Sequence, residues 1–153
     1  MKGQCSCKSP QRARHLSNVS GPLKDRLDVF VTTSGDAAVL SPRDAEPSIS
    51  IAGRVAAARE RAAARWAKAG CNEDVNGRVP ATLIRRHFPA TESAMAMLQA
   101  ELIQGKITQR GVDKCLKLAW TLADLEEMDQ PDIHHACRAV EMREHQLQRE
   151  EVA

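Results

Sequence analysis

Two arginines stand in surroundings suited to meeting a phosphate. Arg26 lies between Asp25 and Asp28 in the run Lys24-Asp25-Arg26-Leu27-Asp28-Val29, behind Ser20-Gly21-Pro22-Leu23. The apolar stretch Leu27 to Val31 reads as a strand, so Arg26 is predicted at a strand's mouth, where a cation can be aimed at a partner's phosphate. Arg110 lies in Lys106-Ile107-Thr108-Gln109-Arg110-Gly111, in the first turn of a predicted helix. A cation there opposes the helix macrodipole by about 0.3–1 kcal/mol when exposed, whereas an anion near that end is favoured. The position is compatible with an arginine that closes on nucleotide phosphate, but the residues by themselves favour a solvent-facing arginine that tolerates the dipole. A third grouping, Cys5-x-Cys7, brings two thiols together and is a weak metal candidate. A structural zinc site normally uses four ligands, and Cys71, Cys115 and Cys137 follow at no recognisable spacing.

An active nucleotide hydrolase of the phosphate-loop type needs a Gly-rich loop ending in Gly-Lys-Ser/Thr, whose backbone N–H groups cradle phosphates, and an acidic strand end for magnesium. No such loop occurs in the 153 residues. The chain is therefore not expected to hydrolyse ATP alone.

The Arg26 segment, followed in order by Lys106 to Gly111 and by Leu116-Lys117-Leu118-Ala119-Trp120-Thr121-Leu122-Ala123-Asp124-Leu125, resembles the magnesium-chelatase-related AAA+ ATPases, the family of the ComM/YifB competence helicases. Cys5-Ser6-Cys7-Lys8-Ser9-Pro10-Gln11 is similar to the second half of that family's paired Cys-x-Cys segment. Asn72 to Pro89, with Arg85-Arg86-His87-Phe88, looks like its linker into the lid. The resemblance implies a mainly α fold: the helical lid bundle of an AAA+ ATPase, preceded by a short remnant, helix plus strand, of the α/β core. Residues 1–32 would be the core remnant, 33–47 a linker, 48–146 the lid and 147–153 a tail.

By the same resemblance, Arg26 is the arginine finger that reaches a neighbouring subunit's nucleotide, and Arg110 is sensor 2, acting on the nucleotide of its own subunit. The chain would be the C-terminal part of such an ATPase, beginning after the Walker A, Walker B and sensor 1 elements. ATP and Mg2+ would belong to the complete protein. Its partners would be the missing N-terminal ATPase core or a full-length homologue, in a ring whose output is DNA remodelling such as branch migration. The pattern is not kept throughout: Trp120 stands where the family usually has an arginine, Lys24 replaces an apolar residue, and the connector after Val31 does not match.

With 27% charged residues and a negative mean hydropathy, the chain has no run of the about 20 apolar residues that a membrane helix needs. Met1-Lys2-Gly3 leads into Cys and Ser without the apolar run of a secretory signal, and five irregularly spaced cysteines do not form a disulfide framework, so a reducing cytoplasm is the expected compartment. The net charge of +2 conceals an asymmetry: residues 1–26 carry six Lys/Arg against one acid, and residues 122–153 carry nine acids against three arginines. A basic N-terminal half can attract phosphates or nucleic acid. That property supports a second reading, a free-standing helical interaction module docking on a homologous ATPase or on nucleic acid. A thiol or metal switch at Cys5 and Cys7 is a third.

The elements that must position these residues follow from periodicity. Pro10 to Ser20 reads as a short helix, and Thr32 to Pro47 as an exposed connector. Ser48 to Ala69 reads as a long helix with Ile51, Val55, Ala62, Trp66 and Ala69 on one face and Gly70 as its stop. Arg54, Arg61, Arg65 and Lys68 form an adjacent stripe, either a phosphate-backbone contact or a solvated face; the lack of interleaved aromatics favours the latter. Ala81 to His87 reads as a short helix. A further helix is expected to Gln104 with Thr91 as N-cap, Met95, Leu98 and Leu102 inward, and Gly105 at its end. Thr108 to about Glu126 carries the apolar stripe Val112, Cys115, Leu116, Ala119, Leu122 and Leu125, wide enough for a central packing element. The last helix is expected from Pro131, burying Ile133, Ala136, Cys137 and Val140, with His134 and His135 as surface and boundary residues.

Overall fold

Five helices lie between Ser48 and Glu144 in the computed structural model, which describes residues 7–11, 14, 23, 26–31 and 46–144. They are α1 (Ser48–Lys68), α2 (Ala81–His87), α3 (Glu92–Ile103), α4 (Gln109–Leu125) and α5 (Ile133–Glu144). Helix α4 touches the other four, and α3 also packs on α5, giving a mainly α bundle around one central helix. No described helix is long and apolar enough to cross a membrane.

Helix ends fall where turn chemistry directs them. After α1, Gly70 adopts φ +69°, its N–H donates to Ala67 O at 3.0 Å, and Cys71 N donates to Trp66 O at 2.9 Å. The same motif ends α3 at Gly105, φ +71°, with Lys106 N donating to Glu101 O at 3.1 Å. Both use a left-handed residue to answer orphan carbonyls, which is glycine's advantage. Helix α4 begins at Thr108, whose Oγ1 accepts from Gly111 N at 3.0 Å. Thr91 precedes α3 as expected, but its side chain makes no cap bond to the helix.

The core is built on Trp66, which is fully buried. Its ring meets Phe88 edge-on at 5.0 Å between centroids and Trp120 at 6.1 Å, and Trp120 Nε1 donates to Phe88 O at 2.9 Å. Such edge-to-face pairs add to area burial because ring edges and faces carry opposite partial charge. Trp120 therefore serves as core filler, anchored by its one donor.

A carboxylate crosses this apolar centre. Asp124 is 2% exposed and pairs with the Arg65 guanidinium of α1, which also lies 3.8 Å from the centroid of the Trp120 ring. Asn76 Nδ2 donates to Asp124 Oδ2 at 2.8 Å, while Asn76 Oδ1 accepts from Trp66 Nε1 at 2.9 Å. Arg61 Nη1 donates to the Asp124 backbone carbonyl at 2.8 Å. Burial pushes the Asp124 carboxyl above its usual range, against the opposing pull of Asn76 and Arg65, and burial likewise lowers Arg65. Both directions say that desolvation outweighs the pair's attraction, yet either group alone in this site would cost more.

The same contacts settle the arginine stripe of α1. Arg54 pairs with Glu46 at 2.9 Å, Arg61 with Glu127 at 2.8 Å, and Arg65 is in the core; these three are intrachain ties and not a free cationic face. The apolar stripe of α1 is covered only in its second half. Ala58, Ala62 and Trp66 are buried, whereas Ile51 and Val55 are exposed. Leu125 and Ile133 are also exposed, against expectation; Leu125 is the last residue of α4 and Ile133 the first of α5.

Among the described residues no strand forms, and Leu27 to Val31 is not one. Without flanking strands its backbone turns to helix side chains and ends: Phe30 N donates to Met142 O of α5 at 2.8 Å. Residues 9–11 and 14 are helical, within or beside the helix expected over Pro10–Ser20, most of which lies outside the described residues. Cys5, Gly21-Pro22, the connector 32–45 and the tail from 145 also lie outside them.

Helix α5 starts at Ile133 and not at Pro131, because Asp132 takes the capping position: its Oδ1 accepts from His135 N at 3.2 Å. His135 is buried, not a boundary residue. Its Nδ1 lies 2.6 Å from Asp132 Oδ1 and its Nε2 3.3 Å from Glu126 Oε2. His134 is exposed as expected.

Two stability predictions follow from these clusters. Asp124→Ala strands Arg65 and Asn76 and is expected to cost about 3–5 kcal/mol in urea unfolding. The double variant Arg65→Met, Asp124→Leu should lose less than the sum of its single changes, and strict additivity would contradict the coupling. The hydrogen bond from the His135 backbone, with help from its ring, holds the Asp132 carboxyl below its usual range. A depressed acid stabilises above its unfolded value, about pH 4, and loses that contribution as pH falls through the lower folded value. Wild type should therefore exceed Asp132→Asn in melting temperature near neutrality and converge with it in strong acid.

Candidate phosphate-binding cleft

The basic side chains of α4 share one face. Arg110, Lys114, Lys117 and Thr121 follow at spacings of four, three and four, so they stack along the helix opposite Val112, Cys115, Leu116 and Ala119, which are buried. That face forms one wall of a cleft of about 330 Å³, and Leu118 beside it, with Arg26, Asp28 and Gly77 across from it, complete the described lining.

The opposite wall is held by contacts from two helices. Lys114 Nζ donates to Leu27 O at 3.2 Å and pairs with Asp28 at 2.8 Å. Arg143 Nη1 donates to Leu27 O at 2.9 Å, and Phe30 is tied to Met142 as described. Arg26, one residue ahead of this anchored backbone, is exposed in the cleft. Gly77 is placed by Lys117, whose Nζ donates to its carbonyl at 2.9 Å. Thr121, at the inner end, accepts from Asn76 Nδ2 at 3.1 Å and donates to Lys117 O at 3.0 Å, which joins the cleft to the Asp124 network.

Among the described residues, four cations and one carboxylate therefore line a space large enough for a phosphate chain. Guanidinium and ammonium donors there can make several charge-assisted bonds to phosphate oxygens. The two arginines singled out in the sequence, 84 positions apart, line the same cleft of one chain. Cys7 is exposed, Cys5 is outside the described residues, and no cluster of metal-ligating side chains occurs among the described residues. Lys114 and Lys117, absent from the sequence-based site, follow Arg110 at i+4 and i+7, the helical spacing that puts all three on one face.

The family model for the C-terminal domain of magnesium chelatase subunit ChlI matches residues 45–143. The chain belongs to that family. Arg26 and Asp28, on the segment that closes the cleft, lie outside the matched range. The chain is 38% identical over 141 residues to the uncharacterised protein Rv2897c of Mycobacterium tuberculosis, an alignment covering 92% of this chain and 28% of that protein. It is 33% identical over 141 residues to the uncharacterised protein YifB of Escherichia coli and 29% over 140 residues to YifB of Salmonella typhimurium, each covering 90% of this chain and 26% of the relative. The chain thus spans little more than a quarter of the length of these curated relatives. No solved structure matches it.

Arg143 tests how the cleft wall of this ChlI-type domain is held. Arg143→Ala removes the bonds to Leu27 and Asp28, and amide exchange at Phe30 should accelerate about tenfold, the equivalent of one hydrogen bond, with the α4 core unchanged. Unchanged exchange at Phe30 would show that other contacts anchor the segment.

Proposed function

We propose that this chain is the part of a magnesium-chelatase-related AAA+ ATPase that offers cations to a nucleotide held by a separate ATPase core. The observation that carries the reading is the shared cleft: Arg26 and Arg110 line one space together with Lys114 and Lys117. A nucleotide whose phosphates enter that cleft meets both arginines of the same chain. This departs from the division expected from the sequence, with Arg110 acting within a subunit and Arg26 between subunits. On the present reading both act on one nucleotide, and if Arg26 reaches a neighbour's ATP, Arg110 does too.

The chemistry is phosphoryl transfer to water. The core would supply the phosphate loop and a Mg2+ site, neither of which is encoded in these residues. This chain's arginines would neutralise charge developing on the transferred phosphoryl group, an effect worth about 10³–10⁵ in rate for a finger supplied in trans. Hydrolysis would then be sensed at the cleft wall and transmitted through Thr121 and Asn76 to α1. In a ring of such subunits this coupling would drive work on DNA by the longer protein.

The test uses the full chain added to the remainder of the mycobacterial relative, the part outside the matched segment, with ATP and Mg2+ supplied. Stimulated ATP hydrolysis is expected, falling at least about tenfold with Arg26→Ala and with Arg110→Ala. A demonstrated complex with no gain in hydrolysis would overturn the reading and favour a free-standing interaction module.

A further inference from the structure

We propose that Lys114 is a third phosphate ligand of the cleft and that Asp28 is its intramolecular stand-in, a carboxylate that occupies the Lys114 ammonium until phosphate displaces it. The inference rests on the reading of the cleft as a phosphate site and adds to it one ligand and a built-in competitor.

Asp28 is the one carboxylate among the described residues that line the cleft, facing a lining that also holds Arg26, Arg110, Lys114 and Lys117. Its side chain is 72% exposed, whereas that of Lys114 is only 14% exposed. The pair at 2.8 Å is therefore asymmetric. The lysine is fixed against the cleft wall and presents its ammonium at one place, and the aspartate approaches it from the solvent side. A carboxylate so exposed is rehydrated at small cost when it leaves, because it keeps most of its water in the pair. The ammonium, largely removed from water, has more to gain from a new anion.

A purely structural role for the Asp28 carboxylate is poorly supported by the surrounding bonds. The backbone of this segment is already held by Arg143 to Leu27 O at 2.9 Å, by Lys114 to Leu27 O at 3.2 Å and by Phe30 N to Met142 O at 2.8 Å. Removing the carboxylate leaves all three in place. What it would change is the charge at the cleft: one negative group fewer against four positive ones. A phosphate brings more charge and more acceptor oxygens than a carboxylate, so it can satisfy Lys114 and reach the arginines together. Displacement breaks only the Asp28 to Lys114 ion pair and forms phosphate to ammonium contacts; no covalent step is involved.

The probe is inorganic tripolyphosphate, titrated into the full-length chain by calorimetry and by amide chemical shifts at low ionic strength. Asp28→Asn is expected to tighten binding by about five- to tenfold, in the range of a gained charge-assisted contact. Lys114→Gln should weaken it and abolish the gain from Asp28→Asn when the two are combined. Asp129→Asn removes the same unit of charge at an exposed position outside the cleft and should shift affinity less than about twofold, since distant exposed charges are screened. Tripolyphosphate that binds at Arg26 and Arg110 but is indifferent to Asp28→Asn, or binds more weakly with it, overturns the stand-in and leaves the cleft reading intact. Equal gains from Asp28→Asn and Asp129→Asn also overturn it, as a net-charge effect. No binding by wild type or by Asp28→Asn at millimolar concentration overturns both.

Discussion

A carboxylate with almost no exposed surface survives in a helical core only if its oxygens are answered, and Asp124 is answered from three directions. Arg65 reaches it from α1, Asn76 from the loop that follows, and Arg61 covers its backbone carbonyl. Each contact fixes a different element. Arg65 and Arg61 set where α1 lies along α4, and Asn76 orients the loop containing Gly77 while holding the Trp66 indole. Asn76 also binds Thr121, which lies in the cleft. One buried charge thus relates the aromatic core to the cleft wall, and a partial version of this network would leave buried polar groups unanswered.

The consequence for function is that the cleft is built on the rigid side of the molecule. Three of its basic residues, Arg110, Lys114 and Lys117, stand on α4, which touches the other four helices between Ser48 and Glu144, so their spacing is held by the core. The facing wall, residues 26–30, is attached by a few hydrogen bonds and one exposed ion pair. Such a division suits the proposed role of accepting a nucleotide presented by another body: three cations with fixed roots on α4, and one wall, carrying Arg26, that can adjust.

The helices were legible because their signals are local. Gly70 and Gly105 mark two ends, Thr108 one beginning, and the apolar stripe of α4 has the helical period. What could not be read is where neighbours extend. Ile51 and Val55 share a stripe with Trp66, yet only the C-terminal half of α1 is covered, and period alone says nothing about coverage. Arg65 looked like one member of a solvated stripe because its counter-charge lies 59 positions away. His135 looked like a boundary residue for a similar reason, Glu126 being on the preceding helix side of the turn. Leu27 to Val31 has strand composition, but a strand needs an edge to pair with, and this segment docks on helices instead. Of the cleft, Arg26 and Arg110 were each singled out through their surroundings and the family resemblance. Their meeting in one space, with Lys114 and Lys117 between them, is a product of the tertiary fold.

The central claim is that Arg26 and Arg110 of the same chain serve the same nucleotide. A mixture of equal parts Arg26→Ala and Arg110→Ala chains, added to the remainder of the mycobacterial relative under conditions of ring assembly, tests it most directly. If both arginines come from one chain, every site meets a donor lacking one of them, and hydrolysis stays at the level of either variant alone. Recovery of hydrolysis in the mixture would mean that some sites combine Arg110 from one chain with Arg26 from another, which contradicts the account.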